Sequence, residues 1–335
     1  MERVILAGIF GMLIAIVAGP KFIEFLRRNE LGQQVREEGP AGHVVKQGTP
    51  VMGGLLIVIG AAIPFLALSQ FTLPALTVFA VTVGCAAVGF IDDFIKLTHR
   101  RSLGLSGRWK LLMLAGITFF LGWAVVHEDL ATSVYVPAIG ELDLWWVWYG
   151  LLFFVIAGAA NGVNLTDGID GLAAGTGIIA LITFTAIAVF TDIRLGQLGA
   201  PTDVYLDMAI FGGALAGSAI GFLWFNAFPA DVFMGDTGSM AIGGALGAFA
   251  VMTKTELLLL LIGGIFVIEA LSVMLQVVSF KYWGRRLFLM APIHHHFEMK
   301  AWSETKIMVR FWITAAILGG IAFAIYRQYF PEFPR

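Results

Sequence analysis

Acidic and amide residues gather in short motifs along an otherwise apolar chain. Asp92-Asp93 follows an apolar run that ends at Ile91, and Lys96 lies four residues beyond Asp92. Asn164, Asp167 and Asp170 share the segment Asn164-Leu165-Thr166-Asp167-Gly168-Ile169-Asp170-Gly171, with Asn161 just before it. Asn226 and Asp231 precede Phe233-Met234-Gly235-Asp236-Thr237-Gly238-Ser239. Carboxylates crowded together repel one another unless a proton or cation intervenes. Hard oxygen donors with open positions suit Mg²⁺, which keeps waters and bridges to phosphate oxygens, and a diphosphate substrate completes such an arrangement.

Phosphate-friendly groups surround these motifs. Lys46 precedes Gly48-Thr49-Pro50-Val51-Met52-Gly53-Gly54, a glycine-bearing approach to a helix. Lys96 shares a helical face with Asp92 if that helix continues, and Arg100, Arg101, Arg108 and Lys110 follow. Glycines let backbone N–H groups approach an anion closely, and a helix N-terminus attracts one. Near the C-terminus stands Ala291-Pro292-Ile293-His294-His295-His296-Phe297-Glu298. Three consecutive histidines do not fall on one helical face, and they fit a loop that offers several imidazoles to one pocket. Glu269 and Gln276, seven apart, share a face of an apolar run, where an ionisable group is a functional candidate.

Each motif alone has a plainer explanation. Asp92-Asp93 and Gly235–Ser239 could finish or cap helices; Asn164–Gly171 could be an ordinary turn; the histidines could be an interfacial patch or a Zn site; Glu269 could be structural; and the basic run could hold lipid head groups. Together these readings weaken, because one topology puts every motif on the same face.

That topology comes from the apolar runs. The chain has 335 residues, 59% hydrophobic and 13% charged, with a mean hydropathy of +0.86; a soluble domain carries about 25% charged residues. The bilayer must therefore solvate much of the surface. Apolar runs of about 20 residues span a membrane, and ten are expected, near 3–19, 51–70, 74–91, 110–127, 145–160, 173–191, 206–225, 238–253, 257–280 and 308–327. The ninth is long and contains Gly263-Gly264, so it is expected either to bend or to project out of the bilayer. Loop 128–144 is compact. Trp145, Trp146, Trp148 and Tyr149 match an interfacial belt. All but five of the 21 basic residues fall on one set of loops; the five are Arg3, Arg194, Lys254, Arg327 and Arg335. The positive-inside bias makes the first set cytoplasmic and both termini exterior. The expected fold is all-α and polytopic, one integral-membrane domain over 1–335, with its active site on the cytoplasmic face. A net charge of −2 argues against a nucleic-acid partner. The lone Cys85 is a small packing residue, and the first run reads as a retained helix rather than a cleaved leader.

The motifs Asp92–Lys96, Asn164–Ala173, Phe233–Ser239 and Ala291–Glu298, in this order, resemble the polyprenyl-phosphate N-acetylhexosamine-1-phosphate transferase superfamily. Pro40-Ala41-Gly42-His43, the stretch from Lys46 to Gly54 and the intact triple histidine resemble its phospho-N-acetylmuramoyl-pentapeptide transferase branch. The resemblance covers about residues 32 to 310. It implies a ten-helix homodimer in the bacterial inner membrane that uses Mg²⁺ to make lipid I and UMP from UDP-MurNAc-pentapeptide and undecaprenyl phosphate. By motif, Asp236 would be the Mg²⁺ ligand and Asp92 the acid–base candidate at the lipid phosphate, with Asp93 beside it. His294 would join these catalytic groups. Asn164, Asp167 and Asp170 would line the nucleotide-sugar site, and Phe233 would stack on uracil near Asn226. Lys46 and Lys96 would serve phosphates, and Gln276, His295 and His296 would contact substrate or shape the pocket.

Two routes stay open at this point. Either the lipid phosphate attacks the β-phosphorus directly, which is favoured because a dianionic phosphate is already a nucleophile, or an aspartate attacks first. The alternative functions are a sibling that transfers GlcNAc-1-phosphate from UDP-GlcNAc and a cation-coupled transporter.

Overall fold

The computed structural model describes residues 1–29, 48–99, 104–136, 139–199 and 203–329. Lys46, the segment 40–43, Arg100 and Arg101 lie outside them. Among the described residues the order is α1 (Glu2–Arg28), α2 (Gly54–Leu68), α3 (Leu73–Thr98), α4 (Gly107–His127), β1 (Ser133–Val136), β2 (Gly140–Asp143), α5 (Val147–Thr166) and α6 (Leu172–Gln197). Then come α7 (Asp203–Asn226), α8 (Gly235–Met252), α9 (Leu259–Ile262), α10 (Gly264–Trp283), α11 (Ile293–Glu298) and α12 (Glu304–Tyr329). Each apolar run becomes helical because a backbone in hydrocarbon must satisfy its own polar groups. Among the described residues, eight helices are long and apolar enough to cross a membrane. The exceptions among the ten runs are α2, with 15 residues, and α8, with 18.

Helix α8 explains its own low hydropathy. It is buried from Asp236 to Met252 and packs against α2, α3, α5 and α6. A helix sheathed by other helices needs small residues more than lipid-facing ones. A Cβ on Gly243 would lie 2.5 Å from the Ala159 carbonyl, and one on Gly244 would lie 2.5 Å from Cys85 Sγ. Cys85 is fully buried there, as a small packing residue should be. On α3, a Cβ on Gly89 would sit 2.1 Å from the Asp236 carbonyl. That glycine brings the two helices close enough for Asp92 and Asp93 to meet the start of α8.

Several expectations change. The ninth run breaks rather than bends: α9 stops at Ile262 and α10 starts at Gly264. Helix α3 runs on past Ile91 to Thr98, which settles the shared face of Asp92 and Lys96. Loop 128–144 folds into an antiparallel hairpin with Ser133 opposite Asp143. Trp145 and Trp146 are exposed, but Trp148 is fully buried beneath Lys254, whose Nζ stands 5.5 Å from the ring centre. Trp148 therefore leaves the aromatic belt. Lys254 lies in the turn after α8 as expected, but it is buried rather than solvated: it is 2% exposed and pairs with Glu256 at 3.0 Å.

At the α3 N-terminal end, Asp207 of α7 is fully buried. It accepts from the amides of Gln70 and Thr72 at 2.9 Å and from the hydroxyls of Ser69 and Thr72 at 3.0 Å. One carboxylate thus fixes the turn between α2 and α3 from a third helix, replacing water for amides that α3 leaves unpaired.

Candidate active site at one end of the bundle

The C-terminal end of α3 and the N-terminal ends of α4 and α8 meet at one end of the bundle. Lys96 Nζ lies 2.5 Å from Asp92 Oδ2 and 3.0 Å from Asp236 Oδ1. Lys110 Nζ lies 3.0 Å from Asp92 Oδ1 and 2.7 Å from Asp236 Oδ2. The two carboxylates and two ammonium groups close a ring with alternating charge. The Leu105 amide also donates to Asp92 Oδ1 at 2.7 Å. Asp92 Oδ2 is buried and meets Lys96 as an ion pair, and among the described residues it takes no further hydrogen bond.

Asp93 faces the other way, onto the first turn of α8. It accepts from the amides of Asp236 at 3.1 Å and Thr237 at 2.9 Å, and from the Thr237 hydroxyl at 2.7 Å. A carboxylate from α3 thereby caps the positive end of α8. Gly235, at φ 72, supplies the left-handed turn that starts the helix. Asp92, Asp93 and Asp236 each bring an oxygen within 4.8 Å of the others. Such a donor set suits a hard divalent cation.

The Asn164–Gly171 turn approaches from α5 and α6. Asn164 Nδ2 donates to Ser239 Oγ at 3.0 Å. Asp167 accepts from the Gly235 amide, and its carboxyl is pushed up to about 8 by burial first, then by the charges of Asp236, Asp93 and Asp170. Asp170 accepts from the Ala230 amide at 3.0 Å, tying the turn to segment 227–234. Asn226 is almost wholly buried and spent on the backbone: it accepts from the Gly171 amide and donates to the Val232 carbonyl. Phe233 is half-buried, and its backbone pairs with Pro50 and Gly53, so the glycine-bearing segment 48–54 lies against the Asp236 motif.

The triple histidine corrects an expectation, since it forms the short helix α11 rather than a loop. The rings of His294 and His295 pack edge to face, 4.1 Å between centres, yet each of the three takes a different hydrogen-bond partner. His294 is fully buried, with Nδ1 at 3.1 Å from Glu269 Oε1. His295 bonds Glu298. His296 Nδ1 accepts from the Leu289 amide at 3.1 Å, and burial and then Lys300 hold its ring below the usual imidazole range. Gln276 accepts from the amides of Leu287 and Phe288 and donates to the Phe288 carbonyl. It props the segment that leads into the histidines. Glu269 and Gln276 do share one side of α10, but they serve different partners.

A profile for glycosyl transferase family 4 matches residues 75–254, a stretch that includes Asp92, Asn164 and Asp236. The phospho-N-acetylmuramoyl-pentapeptide-transferase of Halalkalibacterium halodurans is 45% identical over 330 residues, covering 96% of this chain and 97% of that one. The protein of that name from Rubrobacter xylanophilus is 45% identical over 334 residues, covering 97% and 98%. The one from Bacillus pumilus is 43% identical over 327 residues, covering 95% and 96%.

The chain belongs to the phospho-N-acetylmuramoyl-pentapeptide-transferase family. It is a transferase and a multi-pass membrane enzyme, which sets the transporter reading aside. In this transferase family member the residue that sequence reasoning undervalued is Lys110. It appears in sequence as one more cation in a basic run, yet it closes the ring with Asp92 and Asp236. Its one signal is its place in the first turn of an apolar helix, where an ammonium opposes the helix dipole and needs a partner.

Proposed function

We infer that this protein transfers phospho-MurNAc-pentapeptide from UDP-MurNAc-pentapeptide to undecaprenyl phosphate, giving lipid I and UMP for peptidoglycan biosynthesis. The inner membrane is its place, the ring of Asp92, Asp236, Lys96 and Lys110 faces the cytoplasm, and the working unit is a homodimer. The observation that carries this reading is the ring itself: two fixed cations and three acidic oxygens within reach of one another. A diphosphate needs its charge neutralised while its bridging bond breaks, and phosphoryl transfer is mostly alignment plus electrostatics.

Asp92, Asp93 and Asp236 would hold Mg²⁺, which supplies charge neutralisation on phosphate oxygens when bound. Lys96 and Lys110 bind phosphate oxygens and keep the acidic groups in place. Asn164, Asp167 and Phe233 sit where a nucleotide sugar would lie across the start of α8. An oxygen of the lipid phosphate forms the new bond to the β-phosphorus, and the bond from that phosphorus to the bridging oxygen breaks. UMP leaves with that oxygen. Direct attack is favoured because neither Asp92 nor Asp93 is free to act as a nucleophile. Asp93 is held by three hydrogen bonds, and Asp92 by two lysines and an amide.

The deciding experiment incubates purified protein with UDP-MurNAc-pentapeptide and undecaprenyl phosphate, with and without Mg²⁺, and measures UMP. Metal-dependent release of UMP with the lipid product is expected. No release, or preference for UDP-GlcNAc, would overturn the assignment.

A further inference from the structure

Glu269 stands out in the sequence as an ionisable group in an apolar run, and the reading above leaves it without work. It lies in the apolar helix α10, its side chain wholly out of water, 25 residues from the histidine it meets. Removing a carboxylate from water is costly unless it is paired and hydrogen-bonded. Among the described residues, its oxygens meet only His294: Oε1 lies 3.1 Å from Nδ1, and Oε2 accepts from the backbone amide at 3.5 Å. His294 is equally buried, and its second ring nitrogen, Nε2, has no hydrogen-bond partner among the described residues. That nitrogen points at the Asn164–Gly171 turn, where a Cβ on Gly168 would lie 2.3 Å from it. Gly168 adjoins Asp167, which is bonded to the first residue of α8.

A carboxylate on one ring nitrogen dictates which nitrogen carries a proton and how the ring stands. The same logic orients a catalytic base through a third group in hydrolytic triads. An orphaned polar atom inside a protein costs stability and calls for a reason, and here the atom is aimed at the turn that approaches the acidic ring. We propose that Glu269 is a positioning residue for the transfer reaction: it holds His294 with the proton of Nδ1 toward its own carboxylate, so that Nε2 is the ring atom presented to substrate at the Gly168 turn. This rests on the function proposed above, and it assigns Glu269 no contact with substrate.

The test combines a double-mutant cycle with a spectroscopic readout. Glu269→Gln keeps the shape and an acceptor oxygen but removes the charge, and His294→Asn removes the ring. Each is expected to lower kcat for UMP release by about 10–100-fold, the usual range when a residue supporting a functional ligand is removed. KM for the UDP-sugar should stay within about threefold, because uniform binding is untouched. The double variant should be no slower than the slower single one, since groups acting as a unit are not additive. Multiplying effects, or a wild-type kcat in Glu269→Gln, overturns the proposal. In parallel, ¹⁵N-histidine NMR of the wild type, with the His294 signal identified by its loss in His294→Asn, should show a protonated Nδ1. A bare Nδ1 overturns the proposal regardless of turnover. Wild-type protein that releases no UMP would overturn the proposed function, and the NMR result would then decide the pairing by itself.

Discussion

The carboxylate of Asp93, on α3, accepts both the amide and the hydroxyl of Thr237 in the first turn of α8. The end of the bundle that carries the acidic ring is thus held by a cap that crosses between two helices. Asp93→Ala leaves buried donors unsatisfied at about 1–3 kcal/mol each. The variant should melt several degrees below wild type in detergent and lose activity with it. A melting temperature equal to wild type would show that the cap is dispensable.

Asp236 differs, because its side chain pairs with the two lysines of the ring rather than capping a helix. Asp236→Asn should abolish UMP release at every Mg²⁺ concentration while the protein remains folded by circular dichroism. Near-normal turnover in this variant would remove Asp236 from the metal site. Asp92→Asn should also slow the reaction strongly. Partial recovery at higher pH marks Asp92 as a base toward the lipid phosphate, whereas a loss that is the same at all pH values marks it as a positioning group.

Asp167 gives a pH-dependent stability. Its carboxyl is raised from 3.8 to about 8 in the folded protein. Ionising it therefore costs folding free energy, a penalty absent below about pH 4, growing as pH rises, and complete above about pH 8. Asp167→Asn removes that penalty. In EDTA the variant should melt above wild type at pH 8 and level with it near pH 4. The opposite ordering would mean that the neighbouring acids do not crowd Asp167.

Gly168→Ala places a methyl carbon where only 2.3 Å separates it from His294 Nε2. The turn or the ring must shift, so kcat should fall by about tenfold or more, as small misplacements near the chemistry do. Wild-type turnover would mean that the turn yields without consequence.

Asp207, at the end of α3 remote from the ring, separates stability from chemistry. Asp207→Ala strands the Gln70 and Thr72 amides and should cost about 2–4 kcal/mol, read as a lower melting temperature. The kcat of the molecules that remain folded should match wild type. A specific loss of kcat would tie this turn to the distant site.

What the sequence determined by itself follows from local physics. Apolar runs of membrane length can only be helices in hydrocarbon, so an all-α polytopic fold was legible, and the order of the polar motifs carried the family. The alternation of runs and loops also put Asp92, Asp167 and Asp236 at one end before any contact was known. Tertiary structure decided which groups touch. Lys110 joins Asp92 and Asp236, Asn226 is absorbed by the Gly171 amide and the Val232 carbonyl, and the three histidines, on a short helix, take three different partners. Lys254 turns inward to Glu256 and Trp148. Those outcomes depend on how closely helices approach, and the approach is set where Gly89, Gly243 and Gly244 let α3, α5 and α8 press together. Sequence periodicity reports which face of a helix is apolar; it carries no information on which other helix, at what register, will cover that face.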